Sequence, residues 1–194
     1  MLIIVIETSL SAGFTSSQLK KAKEACYTGN TQMCSALGNA YLRGAKMKQN
    51  YKMAGKFLSR SCNGGEINDC TNAGILYEVG EDIKKDDLKA SKMYIIGCNK
   101  NLASSCYNLA ALYNEGRGVT KNQRKSMLLF EKSCTKGMSQ GCTALGAIYQ
   151  QGFLIKKNIN KANELFKRAC DSGDAQGCKM LKLNQELLEL ELNQ

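Results

Sequence analysis

Apolar residues recur along most of the chain at steps of three and four, the spacing that lines one face of an α-helix. One family of such segments runs through Leu37, Ala40 and Tyr41, then Ala73, Leu76 and Tyr77, then Leu109, Leu112 and Tyr113, then Leu145, Ile148 and Tyr149. Each ends on a glycine three residues after the tyrosine, at Gly44, Gly80, Gly116 and Gly152, where a left-handed C-terminal cap is wanted. A second family opens on Asn50, Asp86, Asn122 and Asn158, all strong N-cap types. Its apolar face runs through Ala54, Phe57 and Leu58; Ala90, Met93 and Tyr94; Met127, Leu129 and Phe130; and Ala162, Leu165 and Phe166. Short turns holding Gly29, Gly64, Gly65, Gly137 or Gly173 lead back to the first family. The pattern predicts an all-α array in which a leading and a trailing helix alternate. A lone helix stands at each end, and the Leu- and Glu-rich segment from Cys178 to Leu192 serves as a cap.

Ten cysteines give the array its ruler. They stand at Cys26, Cys34, Cys62, Cys70, Cys98, Cys106, Cys134, Cys142, Cys170 and Cys178, in unbroken alternating steps of 8 and 28. The period is therefore 36, and a fixed period of this size marks a solenoid of stacked supersecondary units. Gly38, Gly74 and Gly146 share a further register, with Ala110 in the remaining place. Each eight-residue pair joins the end of a trailing helix to the start of the next leading helix. Two antiparallel helices bring those Cβ atoms to bonding distance, so the expected bridges are Cys26–Cys34, Cys62–Cys70, Cys98–Cys106, Cys134–Cys142 and Cys170–Cys178. A closed loop of nine residues is worth about 2.6 kcal/mol in the chain-entropy description. Reduced thiols and zinc ligation are the alternatives, and zinc sites usually draw on cysteines only two to four residues apart.

The motif is clearest in Ala144-Leu145-Gly146, Tyr149 and Gly152, followed by Lys161-Ala162, Leu165-Phe166 and Ala169-Cys170. It resembles the Sel1-like repeat, a relative of the tetratricopeptide repeat. The cysteine pair in each repeat is similar to that of the Helicobacter cysteine-rich protein family. Departures are modest: Ala110 stands for Gly, and Ser126 stands for Ala. The resemblance implies a right-handed α/α superhelix of disulfide-stapled repeats at about 31–66, 67–102, 103–138 and 139–174. These lie within a solenoid of residues 16–178, followed by a C-terminal capping helix at 179–194. It also implies that the leading helices line the concave groove. Members of the family are associated with β-lactamase activity and penicillin binding.

Composition and charge narrow the function further. There is no His, which removes His-based metal triads and Ser–His or Cys–His catalytic pairs. Neither Pro nor Trp occurs. Five disulfides need an oxidising compartment, so a secreted or periplasmic location is expected. Residues 1–15 read as a degenerate or truncated signal segment, because the apolar run Leu2 to Ile6 is short and is followed by Glu7. No stretch is apolar enough for a transmembrane segment. The net charge is +10, yet across 31–43, 67–79, 103–115 and 139–151 only Arg43 is basic. The cations lie on trailing helices and loops, among them Lys56, Arg60, Lys92, Arg124, Lys132 and Arg168. They are read as a solvated back that keeps the protein soluble, with adhesion to an anionic polymer as the functional alternative. Basic and aromatic residues do not interleave on the leading helices, which argues against nucleic acid as a partner.

The leading helices carry a neutral stripe of amides and hydroxyls away from their Leu and Tyr positions. Asn39, Asn68, Thr71, Asn114, Thr143 and Gln150 are the candidate groove residues, expected to lie outside the core, on a stripe that also holds Gln32, Ser35, Leu42, Ile75, Glu78, Ser104, Tyr107, Ala111, Gln140 and Ala147. Such groups suit an extended peptide or protein segment, or a peptidoglycan fragment. The protein is expected to be a monomer that needs no cofactor. Catalytic residues remain unassigned. Ser17-Gln18-Leu19-Lys20 and Ser133-Cys134-Thr135-Lys136 fit the Ser-x-x-Lys motif of serine β-lactamases, but its companions Ser-Asp-Asn and Lys-Thr-Gly are missing. Glu78 and Glu115 are acid–base candidates without a visible partner. An interaction scaffold is therefore favoured, with a weak β-lactamase or β-lactam-binding protein, or a secreted effector of host proteins, as the alternatives.

Overall fold

The computed structural model describes residues 14–45, 47–80 and 83–192, so the expected leader falls almost wholly outside the described residues. Ten helices and no strands occur among them: α1 (Ser16–Tyr27), α2 (Thr31–Arg43), α3 (Tyr51–Asn63), α4 (Asn68–Val79), α5 (Asp87–Asn99), α6 (Ala103–Glu115), α7 (Gln123–Thr135), α8 (Ser139–Gln151), α9 (Ile159–Asp171) and α10 (Ala175–Leu192). The chain divides into two compact units between Asp86 and Asp87, inside the second repeat. In the first, α1 to α4 pack each on its sequence neighbour. In the second, α5 to α10 do the same, and α8 also touches α10. Neighbour-on-neighbour packing of helix pairs is the construction of an α-solenoid.

Each leading helix stops by the same device. Gly44, Gly80, Gly116 and Gly152 adopt φ of 68°, 78°, 77° and 73°, and each amide donates to a carbonyl of the preceding turn. The chain then returns so that the amides of Asn50, Asp86, Asn122 and Asn158 donate to the carbonyls of Tyr41, Tyr77, Tyr113 and Tyr149, at 3.0, 2.8, 2.8 and 2.9 Å. The side chains of Asn50, Asn122 and Asn158 accept from Met53, Lys125 and Lys161 amides and start the trailing helix. Tyrosine, glycine and asparagine thus close one loop together.

The tight turn after each trailing helix also needs positive φ. Glycine supplies it at 29, 65, 137 and 173, whereas residue 101 is Asn101 at 65°. Across these turns the structure joins Cys26 to Cys34, Cys62 to Cys70, Cys98 to Cys106, Cys134 to Cys142 and Cys170 to Cys178, with Cα atoms 4.5–4.9 Å apart. No cysteine is free. Helices approach closely here, so the facing positions are small. A Cβ on Gly141 would meet Ser133 Oγ at 2.7 Å, and one on Gly177 would meet Ala169 Cβ at 2.6 Å.

Farther along each pair the packing is knob on gap. The absent Cβ of Gly38 leaves room for Leu58, and that of Gly146 leaves room for the Phe166 ring; both knobs are fully buried. Ala54, Ala90 and Ala162 occupy one register at 0% exposure, and Ser126 fills the fourth place at 1%. The Ser126 hydroxyl makes no hydrogen bond.

The basic residues are not all solvated. Arg60 Nε donates to the Cys26 carbonyl at 3.1 Å and its Nη2 to that of Tyr27 at 2.8 Å. Lys132 Nζ donates to the Cys98 carbonyl at 2.7 Å, and Arg168 Nη2 to that of Cys134 at 3.0 Å. These cations cap the C-terminal end of the previous trailing helix, where the dipole favours positive charge. Lys56 Nζ sits 5.2 Å from the centre of the Tyr27 ring. Lys56, Arg60 and Arg168 are exposed, as a solvated back requires, and Lys132 is half-buried; each also has a partner in the fold.

Candidate functional site

The candidate groove residues have different surroundings within each compact unit. In the first unit Asn39 is half-buried on α2, and its Nδ2 donates to the Ser35 carbonyl at 3.0 Å and lies 3.4 Å from Asp69 Oδ1. Asp69 is 5% exposed at the start of α4, and its other oxygen accepts from Ser61 Oγ at 2.6 Å. Asn39 thus helps satisfy a buried carboxylate. Thr71 is 8% exposed, which corrects its placement outside the core. Asn68 is exposed at the first turn of α4.

In the second unit Asn114 is exposed near the end of α6. Gln150 Nε2 donates to Asn184 Oδ1 at 2.6 Å, and Asn184 Nδ2 donates to Asn163 Oδ1 at 2.7 Å. That chain of amides ties α8, α9 and α10 together. Asn184 is 4% exposed, so the Gln150 amide is engaged in packing the cap.

Thr143 stands elsewhere. It lines a cleft of about 300 Å³ with Tyr107 of α6, Gln140, Ala144 and Ala147 of α8, Asp174, and Gln176 and Met180 of α10. The lining is mostly apolar, with the amides of Gln140 and Gln176 and the carboxylate of Asp174 among it. Thr143 Oγ1 donates to Asp174 Oδ2 at 2.6 Å, and the Gln176 amide donates to Asp174 Oδ1 at 3.2 Å. Asp174 is therefore both the N-cap of α10 and a wall of the cleft.

Four of these residues, Ala144, Asp174, Gln176 and Met180, were missing from the stripe, the last three for two different reasons. The last helix starts at Ala175, not after Cys178, and so forms a fifth leading helix. One period added to Gln140 gives Gln176, and one added to Ala144 gives Met180, so the ruler itself held that signal. Asp174 had a weaker signal, because its register holds Asn30 and Glu66 in the early repeats but Leu102 and Met138 in the two before it.

Two of the catalytic candidates, Ser133 and Glu115, lie in the second unit with the cleft but apart from it. Ser133 is fully buried, and its Oγ donates to the Ala103 carbonyl at 2.9 Å, beside the bridged Cys134. Glu115 forms an ion pair with Arg117 on the surface. Neither lines the cleft.

Known proteins place this architecture. The chain is similar to a protective antigen of uropathogenic Escherichia coli that displays an SLR fold. That match has 26% identity and a TM-score of 0.77, and covers 84% of this chain and 35% of that one. It is similar also to a Sel1 repeat protein of Oxalobacter formigenes, with 24% identity, a TM-score of 0.63, and coverage of 78% and 61%. Helicobacter pylori cysteine rich protein B matches with 27% identity and a TM-score of 0.49, over 69% of this chain and 100% of that one. The chain thus spans about a third of the Escherichia antigen and about three fifths of the Oxalobacter protein. Comparison with curated proteins returns no match. The Sel1 repeat model matches residues 31–66, 69–102, 103–138 and 139–174, which is most of the sequence, and with that the chain belongs to the Sel1 repeat family.

Proposed function

We propose that this protein is an exported, disulfide-stapled scaffold that holds an extended peptide segment of a partner protein against its leading helices. The cleft among α6, α8 and α10 carries this reading. Its size lies at the lower end of small-ligand sites, and a mostly apolar lining with a few polar groups is what a peptide side chain fits. Exposed Leu183 and Leu187 extend the apolar surface along α10 on the same helix face as Gln176 and Met180. Export is supported by the five bridges, which persist in oxidising compartments. Among the described residues no helix is long and apolar enough to cross a membrane.

The test is a screen of the oxidised protein against immobilised peptides, muropeptides and labelled penicillin in parallel. Peptides are expected to bind in the micromolar range. Ala147→Trp, which places an indole in the cleft, should abolish that binding without lowering the unfolding midpoint, because Ala147 is only half-buried. Capture of muropeptides or penicillin but no peptide overturns the proposal. So does peptide binding that is indifferent to Ala147→Trp.

A further inference from the structure

We infer that the cleft is a subsite for one basic side chain, lysine or arginine, of the bound segment, with Asp174 as its counter-charge. The assignment rests on the peptide-binding proposal above and adds the chemistry of the residue that enters. An ionised carboxylate offers about four acceptor positions. Thr143 Oγ1 and the Gln176 amide occupy two of them. No cation of the described residues pairs with Asp174. Leading helices α6 and α8 contain no Lys or Arg, so nothing on them competes for the remaining positions. Capping alone does not explain an acid here. At the same register four periods earlier, Asn30 caps α2 through Met33 N with a neutral side chain.

The rest of the cleft matches the stem of such a side chain. Lys and Arg lay their methylene groups on apolar surface while the head stays with polar partners. Ala144, Ala147 and Met180 supply that surface, and Tyr107 adds an aromatic ring that favours a cation. A neutral aliphatic side chain would cover the apolar lining and leave the Asp174 carboxylate beside it unmatched. The +10 charge of the chain opposes a basic ligand only at long range. Its cations lie mostly off the leading helices, and salt screens them over about 8 Å at physiological strength. From Asp174 to Leu187 the α10 axis advances about 20 Å, which about six residues of extended chain span. The ligand is thus a short segment with one basic residue and aliphatic residues a few positions away.

The experiment uses the full-length oxidised protein and a positional-scanning library of acetylated, amidated hexapeptides, read by fluorescence polarisation. The expected result is enrichment of Lys or Arg at one position, with about a tenfold loss on replacing it by norleucine. Asp174→Asn retains the capping oxygen for the Gln176 backbone amide and places Nδ2, a donor, opposite Thr143 Oγ1, which can accept; it should erase the preference for Lys over norleucine, and its unfolding midpoint reports that α10 is intact. A basic preference that survives Asp174→Asn, or no basic preference at any position, overturns the inference while leaving peptide binding in place. If no hexapeptide binds, the peptide-binding proposal itself fails. Self-association in sedimentation that Asp174→Asn abolishes assigns the cleft to a lysine or arginine of a second copy, and overturns the inference as stated.

Discussion

Replacing Ser126 by Ala should stabilise the protein. Ser126 is 1% exposed on α7, and its hydroxyl makes no hydrogen bond. A buried hydroxyl without a partner costs about 1–3 kcal/mol of desolvation. Alanine also has the better propensity inside a helix, by up to about 0.5 kcal/mol. Against this stands the loss of one oxygen atom, whose space is worth only about 0.3 kcal/mol as a cavity. The fold shows that Ala fits: Ala54, Ala90 and Ala162 hold the equivalent places at 0% exposure. The net gain is about 1–3 kcal/mol, or roughly 2–12 °C in the unfolding midpoint for a chain of this size. Denaturant and thermal unfolding under non-reducing conditions measure the sum. Hydrogen exchange should place the gain in α6, α7 and α8, because repeat proteins gain stability through nearest neighbours. The reciprocal change Ala162→Ser should cost a comparable amount. An unchanged or lowered midpoint for Ser126→Ala would refute the account of that hydroxyl as unsatisfied.

Four further variants probe other parts of the fold. Cys134→Ala with Cys142→Ala should lower stability by about 2.6 kcal/mol, read from denaturant titration against the oxidised parent; a loss below 1 kcal/mol would count against loop closure as the main effect. Gly146→Ala places a Cβ 2.7 Å from Phe166 Cε1 and should destabilise by about 1–2 kcal/mol despite the better helix propensity of Ala, whereas a rise in the unfolding midpoint would show that the ring yields freely. Asn39→Leu removes a neighbour of the buried Asp69 carboxylate and should cost about 1–3 kcal/mol in thermal unfolding, while Asn114→Leu, on an exposed position, should change it by less than about 0.5 kcal/mol; equal effects of the two would refute the role given to Asn39.

Much of the fold is legible in the sequence because the same physical demand recurs every 36 residues. A left-handed cap needs glycine after each tyrosine, a helix start needs an Asx side chain, and close approach needs a missing Cβ. Repetition shows each demand several times, so chance matches fall away. What repetition conceals is any long-range partner. The guanidinium of Arg168 reads as a surface charge until the Cys134 carbonyl is seen beside it. Thr71 and Asn39 read as a wet stripe because periodicity reports which way a side chain leaves its own helix, not which neighbour comes to meet it. Asp69, standing where Ser105 and Gly141 stand in later repeats, draws Asn39 and Ser61 into a buried cluster that no helical wheel contains.

The cleft follows the opposite logic from the fold. Residues in register hold one repeat to the next and are similar from unit to unit, so by themselves they make every part of the leading-helix face alike. A particular ligand can be preferred only where residues depart from register. Position 174 is Asp where 102 is Leu and 138 is Met, position 180 is Met where 144 is Ala, and position 107 is Tyr where 143 is Thr. These departures meet in one place because α6, α8 and α10 are successive leading helices of one compact unit. The bridge between Cys170 and Cys178 spans the turn that carries Asp174 and so fixes the carboxylate relative to Thr143 before any ligand arrives. A preorganised counter-charge loses less order on binding than one on a free loop. The staples that hold the array together thereby also hold its selective point.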